Sequence, residues 1–292
     1  MTFPYEGSFI RPPAEAESII LQATVGCAHH GCMFCGAYRD VYYRVRSAEE
    51  FRRHCSWVAR QQGRKGRRVF FGDADVMALP TDELLERIEQ TREAFPEASR
   101  FALYAGPRGI LEKSDEELKR LKAAGFNTFY LGLETGSDPI LASMEKGVTA
   151  DEMTQAVERA QNAGLRASVM VLLGLGGRSG STEHIRATAE VLNRMQPRLV
   201  SALTLMLVPG TRLWKRASAG SFTELGPPEF LDELYRLIES LDLHRSVFSA
   251  NHASSFYAVE GALPRDKDRL LQDIDAARRG HRRLTPDLMR GL

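Results

Sequence analysis

The run Ile19-Ile-Leu-Gln-Ala-Thr-Val25 passes through Gly26 into Cys27-Ala-His-His-Gly-Cys32-Met-Phe-Cys35. A mostly apolar segment that ends in a loop dense with thiols reads as a buried strand carrying reactive side chains at its carboxyl end. The same order recurs downstream. Strand candidates Arg67–Phe71, Arg100–Ala105, Thr128–Leu133, Arg166–Leu173 and Leu199–Leu207 alternate with longer segments of helical period. Such alternation predicts an α/β fold of six βα units, its parallel strands joined by crossover helices. Those units can curl into a closed or partly closed barrel, or lie open as a doubly wound sheet. Either way, ligands gather at the carboxyl ends of the strands.

The helix punctuation agrees with that count. Ser47 with Glu50, Ser114 with Glu117 and Thr149 with Glu152 each have the spacing of a capping box. Gly125 and Gly164 stand where two helices stop, a few residues before the next strand. The strands run out into polar or glycine-rich stretches: the three cysteines, then Gly72-Asp-Ala-Asp75, Gly106-Pro-Arg-Gly109, Glu134-Thr-Gly-Ser137 and Gly174-Leu-Gly-Gly177. The candidate chemistry therefore shares one rim. The expected division is an N-terminal extension over 1–14, a barrel core over 15–210 and a C-terminal cap over 211–292. The cap holds an amphipathic helix from Glu229 to Leu241, an extended stretch from Ser246 to Ala250 and a charged helix from Arg265 to Arg279.

Composition narrows the function class. Of 292 residues, 26 % are charged and 43 % hydrophobic, and the formal net charge is +1, so no global field recruits nucleic acid or an acidic membrane. The most apolar stretch, Ala167 to Leu175, is too short to span a bilayer, and the first residues lack the basic and apolar regions of a signal peptide. A cytoplasmic location is expected. Three of the four cysteines lie within the 27–35 loop, unlike the even distribution of a secreted disulfide framework. Cys55, apart from the rest, reads as a small buried hydrophobe on a helix. A compact thiolate trio with no fourth Cys nearby is what an iron–sulfur cluster needs if one iron is to stay open to another ligand.

With these residues the chain resembles the radical S-adenosylmethionine (SAM) superfamily. The likeness rests on the cysteine triad after the first strand, Phe34 immediately before the third cysteine, and the ordered rim motifs over about residues 15 to 210. More narrowly, the Cys27–Cys35 loop, Gly72-Asp-Ala-Asp75, Leu131-Gly-Leu-Glu134-Thr-Gly-Ser137 and Asn251-His-Ala-Ser are similar to a group of bacterial radical SAM proteins of unassigned substrate. The spacing here is Cys-x4-Cys-x2-Cys, where the superfamily usually has Cys-x3-Cys-x2-Cys. The extra residue lies in Ala28-His-His-Gly31, where Gly31 allows an unusual backbone.

The resemblance implies a partial or full TIM-type (β/α)6 barrel with a small helical cap. It further implies an enzyme that uses a [4Fe-4S] cluster to cleave SAM reductively, generating a 5′-deoxyadenosyl radical that takes hydrogen from a small-molecule or peptide substrate. Cys27, Cys32 and Cys35 would ligate the cluster. Phe34 would border the adenine, Asp73 or Asp75 in the turn after Gly72 would neutralise the methionyl ammonium, and Glu134 would bind the ribose. Gly136, Ser137 and Gly174 would let the backbone approach SAM. Arg108 and Arg178 are candidates for a carboxylate, and Asn251 and His252 for substrate contact from the cap. A flavodoxin or ferredoxin is the implied reductant.

Each assignment has a plainer rival. The aspartates could be solvated loop or N-cap residues, Glu134 a structural ion pair, Asn251 a helix cap and His252 a satisfied structural histidine. The same cysteines with His29, His30 or His54 could form a structural zinc site, or the protein could be a simple iron–sulfur electron carrier.

Overall fold

Eight strands form one sheet in the order β1-β4-β5-β6-β7-β8-β9-β10. They are β1 (Ile19–Gln22), β4 (Arg68–Gly72), β5 (Arg100–Tyr104), β6 (Phe126–Glu134), β7 (Arg166–Leu173), β8 (Leu199–Thr204), β9 (Ser246–Ser249) and β10 (Glu260–Leu263). Two short strands, β2 (Thr24–Val25) and β3 (Arg44–Val45), pair separately as an antiparallel ribbon. The helices are α1 (Ala48–Gln62), α2 (Thr81–Ala94), α3 (Pro107–Leu111), α4 (Asp115–Ala123), α5 (Asp138–Ser143), α6 (Ala150–Asn162), α7 (Gly177–Met195), α8 (Arg212–Ser218), α9 (Pro227–Ser240) and α10 (Lys267–Arg278). This computed structural model describes residues 5–7, 10–39 and 41–291. The fold is α/β with a mainly parallel sheet, as the alternation of elements predicts.

The chain divides into two compact units. One comprises Met1–His30, Ala37–Leu131 and Gln155–Ala167; the other comprises Gly31–Gly36, Gly132–Thr154 and Ser168–Leu292. In the first, β1, β4 and β5 pair in parallel with Ile19 opposite Val69 and Val69 opposite Phe101. Side-chain alternation along β4 sends neighbouring phenylalanines to opposite faces. Phe71 meets Phe51 of α1, Phe101 and Phe126 at ring distances of 5.7, 5.6 and 5.8 Å. Phe70 instead meets Tyr104 and Tyr130 at 5.1 and 5.7 Å. Each ring wholly withdrawn from water contributes about 1.5–3 kcal/mol, so these two clusters set the register of the first three strands.

In the second unit, β7 pairs in parallel with β8 and β8 with β9, while β10 runs antiparallel to β9. Val169, Val171, Val200, Ala202 and Phe248 are buried along these strands. Helix α9 packs against α7 and α10. The tail expected as a helical cap thus also supplies two strands to the main sheet. The extended stretch expected over Ser246 to Ala250 is β9, and Val200 opposite Phe248 seats it beside β8, whereas β10 is not among the expected elements.

All three expected capping boxes are present. The hydroxyls of Ser47, Ser114 and Thr149 each accept from the N–H three residues on at 3.2 Å, and Glu50, Glu117 and Glu152 return to the cap amides. The first predicted strand is broken at Ala23, whose N–H donates to Gly72 O at 2.6 Å. No helix among the described residues is long and apolar enough to cross a membrane.

Candidate SAM and iron–sulfur site

Asp73 organises the rim in the first unit. Its Oδ1 accepts from the Tyr38 hydroxyl at 2.6 Å, and its Oδ2 accepts from Gln22 Nε2 and Gly26 N, both at 3.1 Å. The Asp73 N–H donates to Thr24 Oγ1 at 3.0 Å, and Ala74 N–H donates to Gly26 O at 3.3 Å. The carboxylate therefore ties down the residue that precedes Cys27. Asp73 is wholly buried, and loss of solvation raises its pKa against the pull of those donors. The same burial, reinforced by the adjacent carboxylate, lifts the Tyr38 phenol far above its ordinary range.

Behind this network stands Arg46, also wholly buried. One Nη donates to Gln22 Oε1 and reaches Glu6 Oε1, both at 2.9 Å, while Nε and the other Nη have no partner among the described residues. Gln22, Tyr38 and Arg46 were not singled out by sequence reasoning. The available signal was Gln22, a lone amide inside an apolar strand.

Asp75 has a different task. Its Oδ1 accepts from Gly106 N at 2.8 Å, and a Cβ on Gly106 would lie 2.7 Å from Oδ2, so only glycine lets the strands' ends meet this closely. Burial raises the Asp75 pKa, with Lys113 acting in the opposite sense. Asp73 is thus no solvated loop residue, whereas Asp75 is part-exposed and stands at the N-cap position of the short 3-10 turn Val76–Ala78.

In the second unit the segment bearing Cys32 and Cys35 is pinned by main-chain bonds. Met33 N donates to Met144 O and Met33 O accepts from Leu213 N, each at 3.0 Å, and Arg212 donates to Gly31 O. Phe34 is half-buried. A Cβ at Gly36 would lie 2.8 Å from Val208 Cγ1.

Glu134 ends β6 with φ +64°, a left-handed conformation that is costly outside glycine and concentrates at functional turns. Its Oε1 accepts from Lys146 Nζ at 2.8 Å, with both side chains 17 % exposed. The plainer rival for Glu134, an ion pair, is thus present, and its partner Lys146 is an addition to the predicted set. The adjoining turn hangs on α7. Thr135 Oγ1 accepts from Ser137 N at 3.1 Å and donates to His184 Nδ1 at 2.8 Å, while His184 Nε2–H donates to Leu172 O at 3.1 Å. Burial depresses the His184 pKa to about 4, which keeps the ring neutral in this role.

Thr188 completes the support by accepting from Gly136 N at 3.0 Å. A Cβ on Gly136 would lie 2.2 Å from Ala187 O, so its smallness serves the approach of α7. Ser137 Oγ is buried with no hydrogen-bond partner among the described residues. Gly174 similarly serves α9: it has φ +84°, a Cβ there would lie 2.3 Å from Phe230, and its N–H donates to Glu233 Oε2 at 2.6 Å. Glu233 is buried, and desolvation pushes its pKa up to about 7.

The remaining candidates are engaged locally or exposed. Arg178 forms a two-pronged pair with Glu229 at 2.7 and 3.0 Å, and Asn251 donates to Glu260 at 3.0 Å. His252 Nδ1 lies 2.9 Å from Ser254 Oγ and accepts from Ser254 N at 3.1 Å. Arg108, His29 and His30 are exposed. Cys55 is buried on α1, its thiol pushed up to about 12 by desolvation.

Cys27 and Cys32 are half-buried, Cys35 is exposed, and no disulfide involves any of them. Cys27 belongs to the first unit, Cys32 and Cys35 to the second. Among the described residues no three His, Cys, Asp or Glu side chains converge as one metal ion would require. A cubane asks for something different, because each thiolate takes a different iron. Three sulfur donors in one short loop, none in a disulfide, fit that demand in kind.

A family model described as the Radical SAM superfamily matches residues 21–210. Among curated relatives, an uncharacterized methyltransferase, PH0819 of Pyrococcus horikoshii, is 29 % identical over 108 residues, covering 37 % of this chain and 23 % of its own. The heme chaperone HemW of Bacillus subtilis is 24 % identical over 176 residues, covering 59 % of this chain and 45 % of its own. The chain spans less than half the length of these relatives. Among solved structures, coproporphyrinogen III oxidase (HemN) of Escherichia coli, described as a radical SAM enzyme, matches with a TM-score of 0.57 at 17 % identity. That match covers 76 % of this chain and 51 % of the other.

Proposed function

The chain belongs to the radical SAM superfamily, and from that premise we propose that it abstracts hydrogen from a small molecule or a peptide side chain. Enzymes of this family use a [4Fe-4S] cluster and SAM. When bound and reduced, that pair supplies a 5′-deoxyadenosyl radical. The observation that carries the proposal is the trio Cys27, Cys32 and Cys35, outside any disulfide and reachable from solvent.

In this reading Cys27, Cys32 and Cys35, as thiolates, would each hold one iron of the cluster. Asp73 keeps its three protein donors and acts by fixing the Gly26 backbone beside Cys27. Asp75, whose Oδ1 already accepts from Gly106, offers its remaining negative charge to the methionyl ammonium. Glu134 accepts from the ribose hydroxyls while Lys146 balances its charge. Ser137, with its unpartnered hydroxyl, is a second hydrogen-bonding group for the same sugar. Phe34 lays its half-buried ring against the adenine. Gly72 begins the turn that carries both aspartates, and Gly136 and Gly174, which also admit α7 and α9, would let the backbone approach SAM.

The test is anaerobic reconstitution with iron and sulfide. Expected are a brown protein with about four irons per chain, a change in the electron paramagnetic resonance signal of the reduced cluster when SAM is added, and 5′-deoxyadenosine on reduction. A colourless protein holding one zinc overturns the reading. A cluster whose spectrum ignores SAM marks an electron carrier instead.

A further inference from the structure

The stretch from α1 into β4 carries charge of one sign. Between Phe51 and Gly72 the chain has six arginines and one lysine but no Asp or Glu. Its loop is tied down. Arg64 Nε donates to Ala94 O at 2.9 Å and Nη2 to Glu93 O at 2.7 Å, closing the carboxyl end of α2. Arg67 O accepts from Ser99 N and Arg100 N at 3.1 and 3.0 Å, and Arg68 pairs with Arg100 where β4 and β5 begin. The two basic stretches therefore form one surface in the first unit, at the amino ends of the strands. Strand β4 runs from Arg68 to Gly72, which sets this surface about 13 Å from the rim.

Some of these cations are spent. Arg52 reaches Glu93 at 3.4 Å, Arg53 reaches Glu49 at 3.2 Å, and Arg68 reaches Glu15 at 3.2 Å. Arg60, Lys65, Arg67 and Arg100 are exposed and have no ion pair among the described residues. Glu97 is the one acid between Ala94 and Ile110, so the balance stays positive.

The rest of the surface selects its partner. Its other exposed residues are polar or small, Gln61, Gln62, Gly63 and Ser99, and none of the large hydrophobics exposed among the described residues lies on it. Trp57 on α1 is half-buried, its ring 6.4 Å from that of Tyr5. Protein docks centre on aromatic or apolar anchors, and membrane-binding faces insert apolar side chains. Single-stranded nucleic acid asks for aromatic platforms on which bases stack. Arginine forks match phosphate oxygens, and a duplex offers these in dense rows.

We propose that Arg60, Lys65, Arg67 and Arg100 form a docking surface for the phosphate backbone of a nucleic-acid duplex. Binding is independent of sequence, because the contacts are to phosphates. The net charge of +1 adds no long-range pull, so the affinity is local and sensitive to salt. With all four cations engaged, log K falls against log salt with a slope of about −3.6, a loss of about 150-fold between about 50 and 200 mM salt. The surface anchors a polynucleotide away from the rim and does not rest on the cluster reading.

The test uses the full chain and a short labelled DNA duplex of mixed sequence, followed by fluorescence anisotropy. A Kd of about 10⁻⁴–10⁻⁶ M is expected near physiological salt. Lys65→Gln with Arg67→Gln should halve the slope to about −1.8 and weaken binding about 200-fold at about 50 mM salt, the two proteins converging towards about 1 M. Arg236→Gln with Arg283→Gln removes the same charge from exposed positions in the second unit and should leave slope and Kd unchanged. Equal losses in the two double variants overturn the proposal. Displacement of the duplex by poly-glutamate as readily as by unlabelled duplex of equal charge also overturns it, and assigns the surface to an acidic protein. Anisotropy reads binding whether or not the chain holds iron, so failure of the cluster reading leaves this test intact.

Discussion

Replacing Asp73 by Ala removes the acceptor for three donors at once, and the structure sets the scale of the loss. A buried donor left without an acceptor costs about 1–3 kcal/mol. The donors are not equal, however. The Tyr38 hydroxyl can rotate, and Gln22 Nε2 keeps Glu6 O at 2.8 Å as a second acceptor, whereas Gly26 N–H has no freedom to turn away. The gross cost is therefore about 3–5 kcal/mol. Removing a buried charge whose pKa is already raised by desolvation returns part of it, for a net loss of about 2–4 kcal/mol. Asp73→Asn keeps one oxygen for Gly26 and Gln22 and lets Tyr38 reverse its role, so it should lose about 1 kcal/mol. Urea unfolding of the metal-free chain reads the stability, and iron bound per chain after reconstitution reads the effect beside Cys27. The expected order in both is wild type, then Asn, then Ala. An Ala variant within about 0.5 kcal/mol of wild type that binds full iron refutes the bracing role.

Other perturbations separate the site from its supports. Cys27→Ala, Cys32→Ala or Cys35→Ala should abolish stable cluster loading, whereas Cys55→Ala, deep in α1, should keep full iron and lose only packing stability; equal iron loss in all four would disprove the assignment. Gly136→Ala drives a methyl to 2.2 Å from the backbone of α7 and should cost about 2–3 kcal/mol, while Gly180→Ala, whose Cβ meets nothing nearer than 3.8 Å, should stabilise the same helix by about 0.5–1 kcal/mol. Paired thermal melts that rank the two alike would contradict the packing argument. Glu233 has a pKa raised from 4.5 to about 7, so the folded state holds its proton more tightly than the unfolded chain. Its stabilising contribution is complete below about pH 4.5 and is lost as pH rises towards 7. Glu233→Gln should therefore gain stability relative to wild type over that interval, and urea midpoints that stay parallel from pH 4.5 to 8 would disprove it.

Local patterns were enough to read the alternation of strands and helices, because burial alternation, capping boxes and stop glycines act within a few residues. Arg166–Leu173 is a strand over that range, and Ser47, Ser114 and Thr149 begin helices. The rim motifs were legible for the same reason: each comes directly after its strand. β9 was legible as an extended stretch over Ser246 to Ala250, whereas β10 escaped because its four residues carry no period of their own and become a strand through the edge offered by β9.

The roles within the motifs were a matter of distance in sequence. Asp73 and Asp75 are near neighbours with the same side chain, yet one is saturated by Tyr38, Gln22 and Gly26 and the other meets Gly106. Lys146 lies twelve residues from the glutamate it neutralises, and His184 lies 49 from the Thr135 it supports. Composition and spacing alone determined that this chain carries a thiol trio on the rim of an α/β sheet. Only the folded chain decided which partners each carboxylate meets, because hydrogen bonds are distributed by proximity in space, and a strand's sequence does not record what the other strands bring to its end.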